Sequence, residues 1–268
     1  MIPYLELIKR VRDTGLIRED RTGTGTISVF GAQVTFDLRE GFPATTTKRL
    51  AFKQVLGELL CFIHGKDNLD DFHKLGVKIW DANAKATNWS PRVPGDVGRI
   101  YGVQWRDWQG TKCSVDQLTD LIANLKTNPY SRRHVVTAWQ PAELDQMCLP
   151  PCHILFQCYV SNGHLDLRVD MRSVDLFLGM PFDVASYAVL LSMLAQEVGL
   201  ESRYLIFQLG DAHIYLNHIE QVQEMLIRKP RKLPTLVLAK KSIFDLTMDD
   251  ASLKEYDPWP TISAEMSV

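Results

Sequence analysis

No stretch of this chain is apolar over the length a membrane span needs, and Met1-Ile2-Pro3-Tyr4-Leu5-Glu6 carries no basic segment ahead of an apolar core. A basic excess is also missing. Thirty Lys and Arg stand against 32 Asp and Glu, for a net charge of -2 and a pI near 6.4. Such a balance gives no field suited to duplex nucleic acid or an anionic membrane, so any phosphate must be met locally. Cysteine is sparse and odd in number: 61, 113, 148, 152 and 158 make five, in a chain too large to need disulfide staples. A reducing compartment follows, and the expectation is a soluble, cytoplasmic protein. Cys148 and Cys152 lie four apart, but no second Cys/His pair at finger spacing completes a tetrahedral site, so no structural metal is expected. Internal repeats and low-complexity segments are absent as well.

What is present is enough for a large core: 268 residues, 46% hydrophobic and 23% charged, read as one domain over 1–268. Leu5, Ile8 and Val11 mark a short amphipathic helix ending near Gly15, and 26–38 alternates as a strand with a kink at Gly31. Residues 52–65 carry the helical stripe Val55, Leu56, Leu59, Phe62 and Ile63, with Glu58 among them. Leu118, Leu121, Ile122 and Leu125 mark another helix, closed by Asn128-Pro129, and 134–139 reads as a strand. Residues 154–160 and 165–171 form two strands joined at Asn162-Gly163, a strong hairpin signal. A helix starts at Pro181 and ends at Gly199, a strand covers 204–209, and 211–215 is expected to begin the next helix. Residues 228–234 look like a loop.

Chemistry concentrates around Cys152. A lone cysteine is ordinarily a small buried hydrophobe, but this one follows Pro150-Pro151, which fix the approaching backbone, and precedes His153 rather than an apolar run. In the second hairpin strand, Leu165, Leu167, Val169 and Met171 alternate with Asp166, Arg168, Asp170 and Arg172. In-register pairing then turns Arg172 towards Cys152, where a cation favours the nucleophilic thiolate. Other residues have two readings on pattern alone. Arg21, inside a Gly/Thr loop, is a solvated charge or an anion ligand; Glu58 is at a helix edge or is a carboxyl held for proton management; Arg132-Arg133 are surface charge or phosphate ligands; Trp80 is core or site.

Together these stretches resemble the thymidylate synthase family almost end to end. The matching segments are Asp20-Arg21-Thr22-Gly23-Thr24-Gly25, Gly41-Phe42-Pro43, Thr46-Thr47-Lys48-Arg49, Glu58-Leu59-Leu60, Ile79-Trp80-Asp81, Tyr101-Gly102, Ser131-Arg132-Arg133, Pro151-Cys152-His153, Arg172-Ser173, Asp175, Gly210-Asp211-Ala212-His213-Ile214-Tyr215 and the tail to Val268. The resemblance implies an α/β fold with a large mixed β-sheet flanked by helices, and a homodimer paired sheet to sheet. It implies 5,10-methylenetetrahydrofolate as cosubstrate, with Cys152 adding to C6 of a pyrimidine nucleotide so that C5 attacks the one-carbon unit. Glu58 and Tyr101 join Cys152, Arg172 and Asp183 as catalytic groups. Arg21, Arg172 and Ser173 hold the phosphate with Arg132 and Arg133 of the other subunit, and His213 and Tyr215 bind the sugar 3′-hydroxyl. Asp175 faces substrate and pterin, while Ile79, Trp80, Leu178, Gly179, Phe182 and Val268 line the folate pocket.

One residue departs from the family pattern. Asp183 stands where the uracil-reading enzymes have Asn. Uracil offers an N3–H donor beside an O4 acceptor, which an amide matches; cytosine offers the reverse, which a carboxyl sharing one proton with N3 matches. The expected substrate is therefore dCMP, as in the dCMP methyltransferases and hydroxymethylases related to thymidylate synthase, found mostly in phages that modify their cytosine. Trp80 and the tail favour methylation to 5-methyl-dCMP. Met171, where Gln is common, and Asn83, where a second Trp is common, keep hydroxymethylation open. A plain dUMP enzyme remains a further alternative. So does an RNA-binding regulator, which the intact Cys152, Glu58 and Arg172 and the lack of a basic stripe disfavour.

Overall fold

The computed structural model describes residues 1–86 and 89–267. In chain order the elements are α1 (Ile2–Thr14), β1 (Leu16–Arg18), β2 (Thr26–Asp37), α2 (Phe52–Ile63), α3 (Leu69–Lys74), α4 (Asp81–Ala84), α5 (Tyr101–Arg106), β3 (Trp108–Gln109), β4 (Ser114–Val115), α6 (Gln117–Thr127), β5 (Val135–Thr137), β6 (His153–Ser161), β7 (His164–Asp175), α7 (Gly179–Val198), β8 (Glu201–Tyr215), α8 (Ile219–Ile227), β9 (Thr235–Leu238) and β10 (Ala251–Lys254). The main sheet runs β1-β2-β8-β7-β6-β5. Every pairing in it is antiparallel except β7 with β8, so the sheet is mixed, as expected.

The parallel pair arises because α7 connects β7 to β8, the crossover that parallel neighbours require. On α7 the apolar residues run almost all the way round, from Met180 to Ala195, so this helix is buried in the middle of the molecule rather than laid on its surface. Gly199 ends it in the left-handed conformation, at φ 72°. The β6–β7 hairpin turns at Asn162 and Gly163, with φ of 50° and 77°, as the Asn-Gly pair predicts. Leu165, Leu167, Val169 and Met171 are buried, while Arg168 and Arg172 are exposed on the opposite face.

Two sequence expectations are corrected. Residues 211–215 do not begin a helix: they are the last part of β8, which pairs with β2 from Tyr204 against Asp37 to Tyr215 against Thr26, and helix α8 starts only at Ile219. The alternation of Ala212 and Ile214 with Asp211, His213 and Tyr215 was the strand signal. The strand expected over 134–139 is only Val135–Thr137.

The outer face of the sheet carries Phe30, 84% exposed, and Tyr159, 64% exposed, around a shallow groove of about 410 Å³ lined by Phe30, Gln33, Ile154, Asp170 and Gln208. This groove is not where the chemistry sits. The opposite face packs on α2, α5 and α7, and there the site forms. One close approach is decisive for it: a Cβ on Gly102 would lie 2.5 Å from the Cα and from the carbonyl oxygen of Phe62. Backbone cannot yield as a side-chain tip can, and this contact sets Tyr101 against α2. Gly102→Ala is therefore expected to cost about 3 kcal/mol of stability by overpacking, read as a lowered urea midpoint at unchanged m-value.

Candidate active site

Cys152 sits at the foot of β6, held from two sides. Its N–H donates to the Tyr101 hydroxyl at 2.8 Å. Arg172, one strand over, donates from its backbone N–H to the Cys152 carbonyl at 2.9 Å. The Arg172 guanidinium donates to the carbonyls of Pro151 and Pro150, each at 2.8 Å, and its Nη2 is 3.8 Å from Sγ. The two prolines thus serve Arg172 as paired acceptors, and the hairpin register carries the cation to the thiol.

Arg172 does favour the thiolate, as the sequence argument expects, but it does not set the net shift. Burial is the larger effect and pushes the Cys152 thiol up. Arg172 pulls against it, helped by the Tyr101 hydroxyl bond and Arg21, while Asp183 adds to the rise. Burial pushes the other described thiols near the core, Cys61, Cys148 and Cys158, to about 12; Lys66 opposes the rise at Cys61, whereas Cys152 has two arginines opposing it, Arg172 and Arg21.

Around the thiol lies a desolvated ring of acids and hydroxyls. His153 stacks on Tyr101 with centroids 3.8 Å apart and planes 14° off parallel, and its Nδ1 shares a hydrogen bond of 2.7 Å with the Tyr187 hydroxyl. Burial lowers His153 to about 3, so it is neutral at physiological pH. Glu58, on the inner face of α2, accepts from the Trp80 indole N–H at 2.8 Å. Burial raises Glu58 to about 7 even though that indole bond favours its anion. Asp183, in the first turns of α7, is raised well above the carboxylate range by burial, then by the negative charges of Glu58 and Asp175. Tyr187, four residues on and hence one turn along the same helix face, could have been found by that spacing.

The β7–β8 register assembles the other wall. Ser173 pairs with Asp211 and Asp175 with His213. His213 Nδ1 lies 3.2 Å from Asp211 Oδ1, which orients the ring, and Tyr215 packs edge-on to it at 5.0 Å. Asp175 Oδ1 accepts from the N–H groups of Phe177 and Leu178 at 2.8 and 3.2 Å. Arg21 lies on a loop that Asp20 organises by accepting from the N–H groups of Thr22 and Gly25, at 3.1 and 2.8 Å.

The described residues expected to line a folate pocket are apolar and lie on α7, its approach and the segment before α4. Ile79, Leu178 and Phe182 are half-buried and pack against the core, while Trp80 is nearly enclosed. A Cβ on Gly179 would stand 3.7 Å from Asp175 Cβ and 3.8 Å from Asp183 Oδ2, so bare backbone floors the gap between the two carboxyls. Among the described residues no group of three or more His, Cys, Asp and Glu is placed to hold a metal ion, and no helix is long and apolar enough to cross a membrane.

Not every expected residue joins the cluster. Arg132 and Arg133 are exposed on the approach to edge strand β5, and among the described residues neither side chain bonds to the Cys152 site. Val268 lies outside the described residues. Its neighbour Ser267 sits 3.2 Å from Thr24, hydroxyl to hydroxyl, and the Glu265 carbonyl is 2.7 Å from His218 Nε2, so the tail is held against the Arg21 loop and the turn before α8.

Fold and site together define a class: a mixed-sheet α/β protein that presents a buried thiol, clamped by a guanidinium, to a pocket walled by Glu58, Asp175 and Asp183. Residues 2–268 match the sequence model of the family described as thymidylate synthase. A protein of Escherichia phage T5 described as "Probable thymidylate synthase" is 50% identical over 285 aligned residues, with all of both chains covered. The chain belongs to the thymidylate synthase family, whose members act as dimers on a pyrimidine nucleotide with methylenetetrahydrofolate as cosubstrate.

The raised Glu58 gives a signed prediction. Its folded value of about 7 against an ordinary 4.5 means that folding favours the protonated form, so its contribution is fully present below 4.5 and lost as pH rises through 7. Unfolding titrations of wild type and Glu58→Gln between pH 4 and 8 are expected to diverge in the variant's favour, by at most about 3 kcal/mol because the pocket mouth admits some solvent.

Proposed function

We propose that this protein methylates dCMP at C5, giving 5-methyl-dCMP. The observation that carries the reading is Asp183, a buried carboxyl raised well above its ordinary range by burial and by its acidic neighbours. Those surroundings favour the protonated form over the anion. That refines the argument from sequence, which took the group as an acid sharing a proton with N3. A neutral carboxyl can turn either oxygen to either base, so counting hydrogen bonds does not choose between them. The proton does. Cytosine N3 is a ring base that can take it outright as sulfur adds at C6, leaving Asp183 an anion that accepts from the N4 amino group. Uracil N3 already carries its hydrogen, and to O4 the acid can offer only a shared bond.

The same reading assigns roles to the remaining residues. Arg172 and Arg21, with Ser173, meet the phosphate and fix the ring over Cys152, whose sulfur forms the bond to C6. His213 and Tyr215 address the sugar. Glu58, near 7, and the Tyr101 hydroxyl are placed to move the proton that leaves C5, after which Sγ departs and the C5–C6 double bond returns. Methylenetetrahydrofolate supplies the one-carbon unit and, for a methyl product, the hydride. Trp80 and the seated tail support methyl over hydroxymethyl, since both keep water from the ring. The second reading, a dUMP-methylating enzyme, is favoured by the name of the phage T5 relative.

The test is competition. The pure protein is incubated with methylenetetrahydrofolate and equal dCMP and dUMP, and products are weighed by mass spectrometry. A cytosine nucleotide heavier by one methyl group is expected; a hydroxymethyl mass would retain the base assignment and change the last step, and product from dUMP alone would establish the second reading. Asp183→Asn should move the kcat/KM ratio towards dUMP by on the order of 100-fold or more.

We also infer that Arg132 and Arg133 act across a dimer interface formed by the outer face of the sheet. Arg132→Ala/Arg133→Ala protein and Cys152→Ala protein, each inactive alone, should regain activity when unfolded together and refolded as mixed dimers. No recovery would place the arginines elsewhere.

A further inference from the structure

Arg99, its side chain only 13% exposed, is a cation two residues ahead of Tyr101 that the reaction outlined above does not use. Its guanidinium reaches from the start of α5 to just past the end. There Nη2 donates to the Asp107 carbonyl at 2.6 Å, and Nη1 is 3.4 Å from Asp107 Oδ2. Nε donates to Glu143 Oε2 at 2.6 Å, in the 3₁₀ turn of Pro141–Gln146. Glu143 is buried and also accepts from the Gln104 amide at 2.8 Å, and the same Gln104 nitrogen donates to the Arg99 carbonyl at 2.9 Å. One guanidinium thus ties both ends of α5 to the turn.

That turn is where the chain enters the Cys152 loop. Backbone 97–99 runs alongside 146–148: the Arg99 N–H donates to the Gln146 carbonyl at 2.9 Å and the Cys148 N–H to the Val97 carbonyl at 3.1 Å, with Gly98 opposite Met147. Glycine is required at 98, since its φ is 80° and a Cβ would overlap the Gln146 carbonyl oxygen. Pro150 and Pro151 have no N–H to give, so the next pin is the Cys152 N–H bond to the Tyr101 hydroxyl, at 2.8 Å. The N–H groups of the loop are therefore held at both ends by one short stretch, 97–101. Arg99 is the residue of that stretch whose side chain grips the turn.

We propose that Arg99 is a positioning residue for the Cys152 thiol: by joining α5 to the Pro141–Gln146 turn, it sets the distance at which the Tyr101 hydroxyl meets Cys152. The proposal rests on the reading of Cys152 as the nucleophile. The hydroxyl accepts from the Cys152 N–H, so its own hydrogen is free for Sγ. Burial is the largest influence on the thiol and raises it, and the Tyr101 bond is among the groups that oppose the rise. A loosened seam withdraws the hydroxyl, and the thiol then rises further. Lys in place of Arg99 keeps the charge but not the fork, since one ammonium cannot serve Glu143 and the Asp107 carbonyl in the same geometry. That substitution separates position from charge.

The test follows alkylation of Cys152 by iodoacetamide against pH in the unliganded protein, with the modified peptide weighed so that the exposed Cys113 does not contribute. Arg99→Lys should move the inflection up by about one pH unit, which is about a tenfold loss of thiolate at a given pH below it. Tyr101→Phe should move it by about as much, and the double variant no further than either alone, because both act through one bond. In turnover Arg99→Lys should lower kcat and kcat/KM together by about 10-fold, the mark of an interaction that serves the transition state. Where Arg99→Lys does not fold, Glu143→Gln makes the same measurement, since its amide oxygen can still accept from Gln104. Its inflection should also rise, and adding Tyr101→Phe should take it no further than Tyr101→Phe alone does.

A merely structural Arg99 gives a different pattern: the urea midpoint falls in Arg99→Lys while the inflection stays at the wild-type pH, and the proposal is then wrong. It is wrong too if the shifts from Arg99→Lys and Tyr101→Phe add, for Arg99 then acts on the thiol by another route. Cys152→Ala separates the two levels. If that protein still turns over, the nucleophile reading fails and the proposal with it; if it is inactive while Arg99 shows no coupling to Tyr101, only the role of Arg99 fails.

Discussion

The parallel pairing of β7 with β8 is the constraint on which the site depends. Everywhere else in the main sheet neighbouring strands run antiparallel and could be joined by tight turns. Here the chain must cross over, and the crossover helix α7 enters directly from the end of β7, so Asp175 at the strand end and Asp183 in the first turns of the helix come to face one pocket. The same pairing sets Asp175 beside His213 and Ser173 beside Asp211. On the other edge of β7, the hairpin with β6 places Arg172 over the two prolines that lead into Cys152. One strand therefore carries the thiol's guanidinium at one edge and, at the other, Ser173 and Asp175 in register with Asp211 and His213.

Within that frame desolvation outweighs pairing. His153 goes down, and Glu58, Asp183, Tyr101, Tyr187 and Cys152 go up, and in each case burial is the largest cause. Burial thus shifts Glu58 and Asp183 towards their protonated forms and His153 towards its neutral form. Such a site suits a substrate that brings its own charge: a phosphate dianion would engage Arg21 and Arg172, and the pocket would offer protons to the ring instead of repelling the anion. The cost is that the thiol is not activated in advance by its cation, and its ionisation has to be coupled to the ring's gain of a proton.

Local periodicity made much of the fold readable. The stripe on α2, the alternation along β7, the Asn162-Gly163 turn and the Gly199 stop are each written within about a dozen residues and appear where expected. The end of β8 was misread because Asp211 to Tyr215 lies between a glycine and a helix start, and its strand character is sustained by partners on β2 and β7 that no local window contains. The site divides in the same way. Cys152, Arg172 and the carboxyls stand in recognisable segments, but the sign of the thiol's shift depends on enclosure, which charge proximity along a sequence does not report. Arg99 escaped notice because its partner Glu143 is 44 residues away. Arg132 and Arg133 are exposed in a single chain, and their reading needs a second one.

The 50% identity to the phage T5 protein bears on the fold and on the one-carbon chemistry far more than on the base. Strand cores, the α7 interior and the loops that hold Arg21 and Cys152 serve either pyrimidine equally. Base choice is confined to the groups that meet N3 and the exocyclic atom at C4. There the difference between an amide and an acid is a single proton, and its effect depends on the surroundings: on the surface Asp183 would be an anion, ill-suited to either base, whereas burial beside Glu58 and Asp175 keeps it an acid. If Asp183 reads the base as proposed, then Glu58, Asp175 and the apolar wall of α7 help to set it without touching the base edge. Substituting Asp for Asn in a wetter or less acidic pocket would not reproduce the specificity, because the proton that distinguishes cytosine from uracil would already have been lost to water.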